Sequence, residues 1–335
     1  MKIITIEEHY SSAIVSEKMG QMSAHQTDQN ASKAIFEVVK RFLPNNEDIQ
    51  DVGERRIKFM DESGIAMQVI SYGNGNPQTI ADAASAIELC QQANNELSAL
   101  IKQNPTRFAG FAALPVADPI AAAAELDRAV NELGLKGSMI AGTFQGQFFD
   151  DPRFLPIFAK AAELKVPIYM HPAIIAQNIS DYYFKNDKWS TPVNAIFASA
   201  GFGWHMDSGI HVIRMILSGI FDKFPDLNLI SGHWGEFAAF YLERMDDTMN
   251  PTTTGLERKI SEYYKNNVYI TPSGIFSVPQ LQFAITEMGA DHIIYSGDYP
   301  YLIDKTTGSF LENAPISKED KEKIGHLNVE KLLGL

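Results

Sequence analysis

The chain alternates short apolar β-type runs with segments of helical periodicity, and this alternation constrains its fold more than any other feature. Alternation of this kind is typical of parallel βαβ units. The eight candidate strands are mostly apolar on both faces, as strands of a buried parallel sheet should be. They cover residues 2–6, 67–72, 108–114, 137–141, 167–170, 227–231, 268–271 and 292–296.

Eight such units in 335 residues fit one (β/α)8 barrel better than an open sheet. A doubly wound sheet, the alternative, would be expected to carry a glycine-rich turn after its first strand, where this chain has Glu7-Glu8-His9. We therefore predict an α/β fold with a single TIM-barrel domain over residues 1–335. Residues 11–52 and 172–206 are longer than structural connections need, so we predict long functional loops after strands one and five.

Local signals place several helices and the only cysteine. Apolar residues recur at three- and four-residue spacing over 80–102, which predicts a helix with Cys90 in the core. Asp118-Pro119 is typical of a helix start, and Ser317 resembles a capping residue. One cysteine excludes an internal disulfide framework and fits a reducing compartment, so we expect a cytoplasmic protein.

Charge and hydropathy exclude two classes of partner. The chain has 28 Lys+Arg against 41 Asp+Glu, a formal charge of −13, which argues against nucleic acid as the main partner. No apolar run approaches a membrane span. We therefore expect a small molecule as the partner, and no membrane.

Polar residues follow several candidate strands, at the end where a barrel carries its active site. Glu7 and His9 share one face of the first strand because side chains alternate, and Glu8 takes the other. His171 follows strand five and Asp298 follows strand eight. Two imidazoles and two carboxylates suit one divalent ion with an open position, Zn²⁺ as the first expectation and Mn²⁺ as the alternative.

His233, after strand six, differs from these candidate ligands. Glu236 lies three residues further on and could bond the second ring nitrogen of His233, which is the arrangement expected for a working acid or base. The alternative is that the segment merely starts a helix. We expect ordinary structural roles for the remaining histidines, although His205 lies in the long segment after strand five. These are His25, His205, His211, His292 and His326.

Four motifs together resemble a known family. Glu7-x-His9, Tyr169-Met170-His171-Pro172, Gly232-His233-Trp234-Gly235-Glu236 and Ser296-Gly297-Asp298-Tyr299-Pro300 are similar to those of the amidohydrolase superfamily. They most resemble its aminocarboxymuconate-semialdehyde decarboxylase-like branch, which includes the γ-resorcylate and 2,3-dihydroxybenzoate decarboxylases. This resemblance implies a barrel with one divalent ion, a catalytic residue at His233, Arg244 facing the active site, and a homodimer or homotetramer.

The resemblance also implies a reaction. We expect metal-dependent, non-oxidative decarboxylation of an ortho-hydroxy aromatic or related unsaturated carboxylic acid. Asp298 would donate the proton, His233 with Glu236 would act on the phenol, and Arg244 would bind an anionic group of the substrate. A hydrolase of a lactone or amide could use the same residues. A catalytically dead barrel kept for binding or assembly is disfavoured by the intact ligand set.

Overall fold

The computed structural model describes residues 1–22, 32–73 and 75–335, and its strands form two parallel sheets. One sheet has the order β1-β2-β3 and the other β4-β5-β6-β7, and every pairing is parallel. The predicted parallel α/β architecture is therefore confirmed. The strands are β1 (Ile4–Tyr10), β2 (Met67–Tyr72), β3 (Phe108–Gly110), β4 (Ser138–Ala141), β5 (Ile168–His171), β6 (Leu229–Ser231) and β7 (Val268–Ile270).

Isolated parallel bridges link the edges of these sheets. Ala112 pairs with Ser138, Ile270 with Ile293, and Ile6 with Ser296. The prediction of a continuous eighth strand over 292–296 is wrong, since the segment holds only two of these bridges. It begins inside the 3-10 helix Ala290–His292, and just beyond it the Gly297 N–H donates to the Glu8 carboxylate instead of to a neighbouring strand.

Helices connect the strands throughout the described part of the chain. They are α1 (Ala13–Gly20), α2 (Lys33–Val39), α3 (Asn46–Ile49), α4 (Glu54–Ser63), α5 (Ala83–Gln103), α6 (Pro119–Asn131), α7 (Leu155–Leu164), α8 (Gln177–Tyr183), α9 (Thr191–Phe197), α10 (Gly203–Leu217), α11 (Ile220–Lys223), α12 (Leu242–Thr248), α13 (Pro251–Thr254), α14 (Ile260–Asn267), α15 (Val278–Met288), α16 (Thr307–Asn313), α17 (Lys318–Glu322) and α18 (Asn328–Leu333).

The long connections after β1 and β5 hold short helices where we predicted loops. The first carries α1, α2 and α3, and the second carries α8, α9 and the start of α10. Side-chain caps explain the difference: Ser12 accepts a hydrogen bond from the Val15 N–H, and Ser190 caps α9 in the same way. The predicted caps Asp118 and Ser317 also accept hydrogen bonds, from the first turns of α6 and α17.

Two large hydrophobic clusters lie in the interior of the described part of the chain, and a third, small one joins α2 to the connection after β5. The larger lies between strands and helices and includes Cys90, which is buried on α5 as predicted. The smaller draws residues from every strand, from Ile294 and from α18, so that one cluster contacts both sheets. Among the helices that the structure describes, none has the length and apolar character to cross a bilayer. The polar cluster described next draws its residues from β1 and β5 and from the segments that follow β6 and β7.

Candidate active site

Glu7 lies near the carboxyl end of β1, at an irregular step of the strand. The pairing of β1 with β2 shifts register between Thr5 and Glu8, and Glu7 has a φ of 62°. Its Oε2 accepts hydrogen bonds from the hydroxyls of Tyr169, Thr271 and Ser273. Its Oε1 is buried and has no hydrogen-bond partner among the described residues. The Glu7 side chain is thus fixed through Oε2, and Oε1 stays free of hydrogen bonds to the described residues.

His9 and His171 place ring nitrogens beside this carboxylate and beside Asp298. His171 Nδ1 donates to the Pro172 carbonyl at 2.7 Å, so Nε2 carries the lone pair and lies 3.4 Å from Glu7 Oε1. His9 Nε2 lies 3.2 Å from Asp298 Oδ1, and neither His9 nitrogen has a hydrogen-bond partner among the described residues. The His9 and His171 rings meet edge to face at 5.2 Å. The four predicted ligands therefore converge.

Burial and neighbouring charges set the protonation of this cluster. Burial raises the pKa of Glu7, but the nearby His171 ring, the charge of His233 and the Ser273 hydrogen bond outweigh it, so this pKa lies well below the usual value. Burial and the charge of Glu7 raise the pKa of Asp298 to about 8. Burial lowers the pKa of His9 to about 4, which leaves its ring neutral at pH 7. Of the two carboxyl groups, Glu7 is therefore the one that favours the ionised form, and Asp298 is the one that takes a proton more readily.

Glu8 points to the opposite side of β1, as the alternation predicts, and binds the backbone on both sides of Asp298. Its carboxylate accepts hydrogen bonds from the backbone N–H groups of Gly297 and Tyr299 at 2.9 and 3.1 Å, and from Gln68 Nε2 at 3.0 Å. The fully buried Arg56 donates to Gln68 Oε1 and to the backbone carbonyl of His9. Burial raises the pKa of Glu8 to about 8, although the donors and Arg56 oppose it.

The segment after β6 is a left-handed turn, where the alternative prediction was the start of a helix. The five residues 233–237 all have positive φ, between 47° and 81°. Gly235 is required there because a Cβ would lie 2.4 Å from the Tyr264 hydroxyl. The turn is held by hydrogen bonds from the His233 N–H to Ser273 Oγ and from the Trp234 N–H to the Thr271 carbonyl.

This turn brings His233 and Glu236 together as predicted. His233 Nδ1 lies 2.7 Å from Glu236 Oε1, and the His233 and His171 ring centroids are 6.3 Å apart. Burial lowers the pKa of His233, but the charge and hydrogen bond of Glu236, helped by Glu7 and Asp298, raise it to about 9. The His233 ring can therefore carry a proton next to the four converging groups.

His205, for which we expected an ordinary structural role, also reaches this pair. Its Nδ1 lies 2.8 Å from Glu236 Oε2. The ligand-type atoms of His205, His233 and Glu236 lie within 4.8 Å of one another, and hydrogen bonds to the shared carboxylate account for that closeness. Of the other histidines, His211 accepts a hydrogen bond from the Phe149 N–H and His326 contacts Glu322, while His25 lies outside the described residues.

Comparison with known proteins identifies the family. A family model described as amidohydrolase matches residues 25–335 of the chain. The chain belongs to the amidohydrolase family. The resemblance of its four motifs to the decarboxylase branch is confirmed by the relatives below.

Relatives of this amidohydrolase include decarboxylases of aromatic acids. It is 35% identical to a gamma-resorcylate decarboxylase of Polaromonas sp., over 85% of this chain and 88% of that one. Among solved structures, 5-carboxyvanillate decarboxylase from Sphingomonas paucimobilis has a TM-score of 0.87 at 29% identity, covering 100% and 99% of the chains. A dihydroxybenzoic acid decarboxylase from Polaromonas sp. with bound manganese and the inhibitor 2-nitroresorcinol has a TM-score of 0.80 at 29% identity, covering 100% and 97%.

One predicted site residue of this amidohydrolase is not brought to the cluster. Arg244 lies on α12, directly after the 3-10 helix Ala238–Tyr241, and its side chain is exposed. Within the described residues, no hydrogen bond or ion pair joins its guanidinium to Glu7, His233 or Asp298.

Sequence reasoning missed the residues that hold the predicted ligands of this amidohydrolase in place. Tyr169 lies two residues before His171 on β5, and the alternation of side chains could have placed it on the same face. Ser273 lies two residues after Thr271 and could have been found in the same way. Arg56 and Gln68 come from α4 and β2, and nothing in their local sequence indicates contact with the site.

Proposed function

We propose that the protein decarboxylates an ortho-hydroxy aromatic or related unsaturated carboxylic acid with the help of one divalent ion. The observation that carries the proposal is the convergence of Glu7, His9, His171 and Asp298, with three ligand-type atoms left unpaired, beside the His233–Glu236 pair. Relatives that act on resorcylate and carboxyvanillate support the substrate class. Glu-x-His in place of the more usual His-x-His of amidohydrolases favours a decarboxylase over a hydrolase.

The donor set fits a divalent ion. Glu7 Oε1 and the two His9 nitrogens are buried without hydrogen bonds to any described residue, which is costly unless a ligand satisfies them. His171 Nε2 presents its lone pair in the tautomer that the Pro172 carbonyl fixes. We assign Glu7, His9, His171 and Asp298 as ligands, and either Zn²⁺ or Mn²⁺ suits this set. A bound ion would stabilise negative charge on substrate oxygens and orient the ring.

The protein's own groups supply the proton transfers. Loss of CO₂ breaks a carbon–carbon bond whose electron pair stays on the ring carbon, and that carbon takes a proton. Asp298, whose pKa burial and Glu7 raise, holds that proton at a carboxyl oxygen. His233, hydrogen-bonded through Nδ1 to Glu236, offers Nε2 for a hydrogen bond to the phenolic oxygen. Arg244, which is exposed and makes no bond to the cluster among the described residues, is still proposed, on the family resemblance alone, to bind an anionic group of the substrate.

The test separates decarboxylation from hydrolysis. Purified protein of known metal content is incubated with a panel of ortho-hydroxybenzoates and simple lactones in ²H₂O, and CO₂ and acid release are followed separately. We expect CO₂ from at least one aromatic acid, with deuterium on the vacated ring carbon by mass spectrometry. Opening of a lactone or amide without CO₂ from any acid would establish the hydrolase instead.

We also propose a closed (β/α)8 barrel forming a single catalytic domain. The isolated bridges at the sheet edges and the cluster that draws on every strand support this closure. A cytoplasmic location is proposed on the single buried cysteine.

A homodimer or homotetramer is proposed on the exposed aromatic surface near the site. Phe197, Phe202 and Phe237 form a row of ring contacts at 4.9 to 5.9 Å and remain at least one third exposed. An apolar surface of this kind marks an interaction site. Light scattering after size-exclusion chromatography tests the assembly, and a monomer at micromolar concentration would contradict it.

A further inference from the structure

Glu236 is shared by two imidazoles, and only one of them has a place in the proposed reaction. His205 Nδ1 lies 2.8 Å from Oε2, and His233 Nδ1 lies 2.7 Å from Oε1. The carboxylate is fully buried, and the two rings lie 4.3 Å apart between centroids. Each carboxylate oxygen therefore has its own imidazole partner.

The neighbours of His205 determine where its proton lies. An indole N–H can only donate, so Trp204 Nε1 donates to His205 Nε2 at 3.0 Å and the lone pair is on that nitrogen. The proton of the neutral ring is therefore on Nδ1, from which it is donated to Glu236 Oε2. The Ala200 carbonyl, 3.1 Å from the same Nε2, would accept from a protonated ring instead.

The backbone is shaped to bring His205 to this carboxylate. The side chain lies in the first turn of α10, and Gly209 on the same helix packs against the left-handed turn. A Cβ at Gly209 would lie 2.1 Å from the Glu236 carbonyl oxygen, so only glycine permits this approach. Gly203, at the start of α10, is required in the same way, because a Cβ there would lie 2.3 Å from the Ala198 carbonyl.

We infer that His205 is a positioning residue, whose Nδ1–H holds the Glu236 carboxylate in the orientation that fixes His233. Without it, Oε2 of a buried carboxylate loses its partner, and the carboxylate can rotate away from His233 Nδ1. His233 would then lose both its orientation and part of its hydrogen bond. Loss of such an outer partner typically lowers activity by roughly 10- to 100-fold. The rate readout rests on the proposed decarboxylation.

Four variants test the role. His205→Leu removes the donor, whereas the Nδ2 of His205→Asn can take the place of Nδ1. His205→Gln presents its amide further out, near the position of Nε2, and Trp204→Phe removes only the indole donor. We expect kcat of His205→Leu and His205→Gln to fall roughly 10- to 100-fold with KM little changed, and His205→Asn to recover most of kcat. Trp204→Phe should stay close to wild type, since Glu236 can only accept and so keeps the proton on Nδ1.

A second measurement does not depend on turnover. In metal-loaded protein labelled with ¹⁵N-histidine, the His233 Nδ1–H resonance should shift in His205→Leu and return in His205→Asn. Were no substrate to release CO₂, the proposed function would fail while this resonance still tested His205. Should His205→Leu not fold, the Asn and Gln variants form the comparison.

Three results would overturn the inference. One is an identical His233 resonance in wild type and His205→Leu, or in the Asn and Gln variants where His205→Leu does not fold. Another is equal kcat for His205→Asn and His205→Gln on a substrate that the wild type turns over. The third is a second bound ion per chain that is lost in His205→Leu, because His205 would then be a metal ligand.

Discussion

Glu7 and Glu8 are neighbours of the same residue type, both fully buried, yet they serve opposite sides of one strand. Glu7 faces hydroxyl donors and imidazoles, and its pKa lies well below the usual value. Glu8 faces backbone N–H groups, Gln68 and the buried Arg56, and burial raises its pKa to about 8. Burial acts on both in the same direction, so the groups around each carboxyl decide its charge. The ionised form of Glu7 suits the proposed cation, whereas Glu8 holds the backbone on both sides of Asp298.

The largest expected effect comes from neutralising each residue in turn. Glu7→Gln should lose the bound ion and lower kcat/KM by at least about 10³-fold, because a ligand and several kcal/mol of charge stabilisation are removed. Glu8→Gln should keep the ion, since the amide is similar in shape to a protonated Glu8. Elemental analysis and steady-state kinetics measure both. Equal metal loss in the two variants would show that Glu8 is needed for metal binding as much as Glu7.

Truncating Glu8 should show what that residue supports. Glu8→Ala leaves the N–H groups of Gly297 and Tyr299 and the Gln68 amide without their acceptor. We expect the free energy of unfolding to fall by about 3 kcal/mol, the cost of leaving buried donors unpaired. Urea unfolding followed by circular dichroism measures it, with Glu8→Gln as the control. A loss below about 1 kcal/mol would show that water replaces the carboxylate.

The pH dependence of the free energy of unfolding should reflect the raised pKa of Glu8. A folded-state pKa of about 8, above the unfolded value, means that the native state binds the Glu8 proton more tightly. This contribution is fully present below about pH 4.5 and is lost as the pH rises through 8. Between pH 6 and 8 the free energy of unfolding of wild type should fall by about 2 kcal/mol relative to Glu8→Gln. If the free energy of unfolding of wild type rose with pH relative to Glu8→Gln, the pKa of Glu8 would be lowered in the folded state and not raised.

The smallest expected effects come from one partner on each side of the strand. Tyr169→Phe removes a hydroxyl donor from Glu7 and should weaken metal affinity by about 10-fold, the lower end for such partners. Gln68→Met removes a donor from Glu8 and should cost about 1 kcal/mol of stability with metal affinity unchanged. Competition with a chromogenic chelator and urea unfolding separate the two. Loss of metal affinity in Gln68→Met would show that the contacts of Glu8 also support the proposed metal site.

Most of the fold and the convergence of the four candidate ligands could be predicted because their signals are local. Apolar runs placed seven of the strands, and Glu7, His9 and His171 lie at or near the carboxyl ends of β1 and β5. The continuous eighth strand was wrongly predicted, because its residues pair only through the single bridges of Ile293 and Ser296, whose partners Ile270 and Ile6 lie far away in sequence. His205 was missed for a related reason: its partner Glu236 lies 31 residues away. Arg56 is a comparable case, since a buried cation has no local signature.

Backbone conformation was the least predictable feature of the site. Glu7, His233, Glu236, Ser273 and Asp298 all have positive φ, a region that residues with a Cβ rarely adopt. Such conformations persist only where surrounding contacts impose them, and they gather at functional sites. Tertiary contacts, which no window of sequence contains, therefore decide the geometry that the chemistry needs.

The left-handed turn at 233–237 ties the positions of His233 and Glu236 to two glycines. Each L-residue in that conformation costs roughly 1–2 kcal/mol, and the packing of Gly209 on α10 and the Ser273 and Thr271 contacts help to keep it. A side chain at Gly209 would clash with the Glu236 carbonyl, and one at Gly235 would clash with the Tyr264 hydroxyl, so the turn would have to move to make room. A substitution at either glycine should therefore displace His233 and Glu236 although neither glycine carries a reactive group.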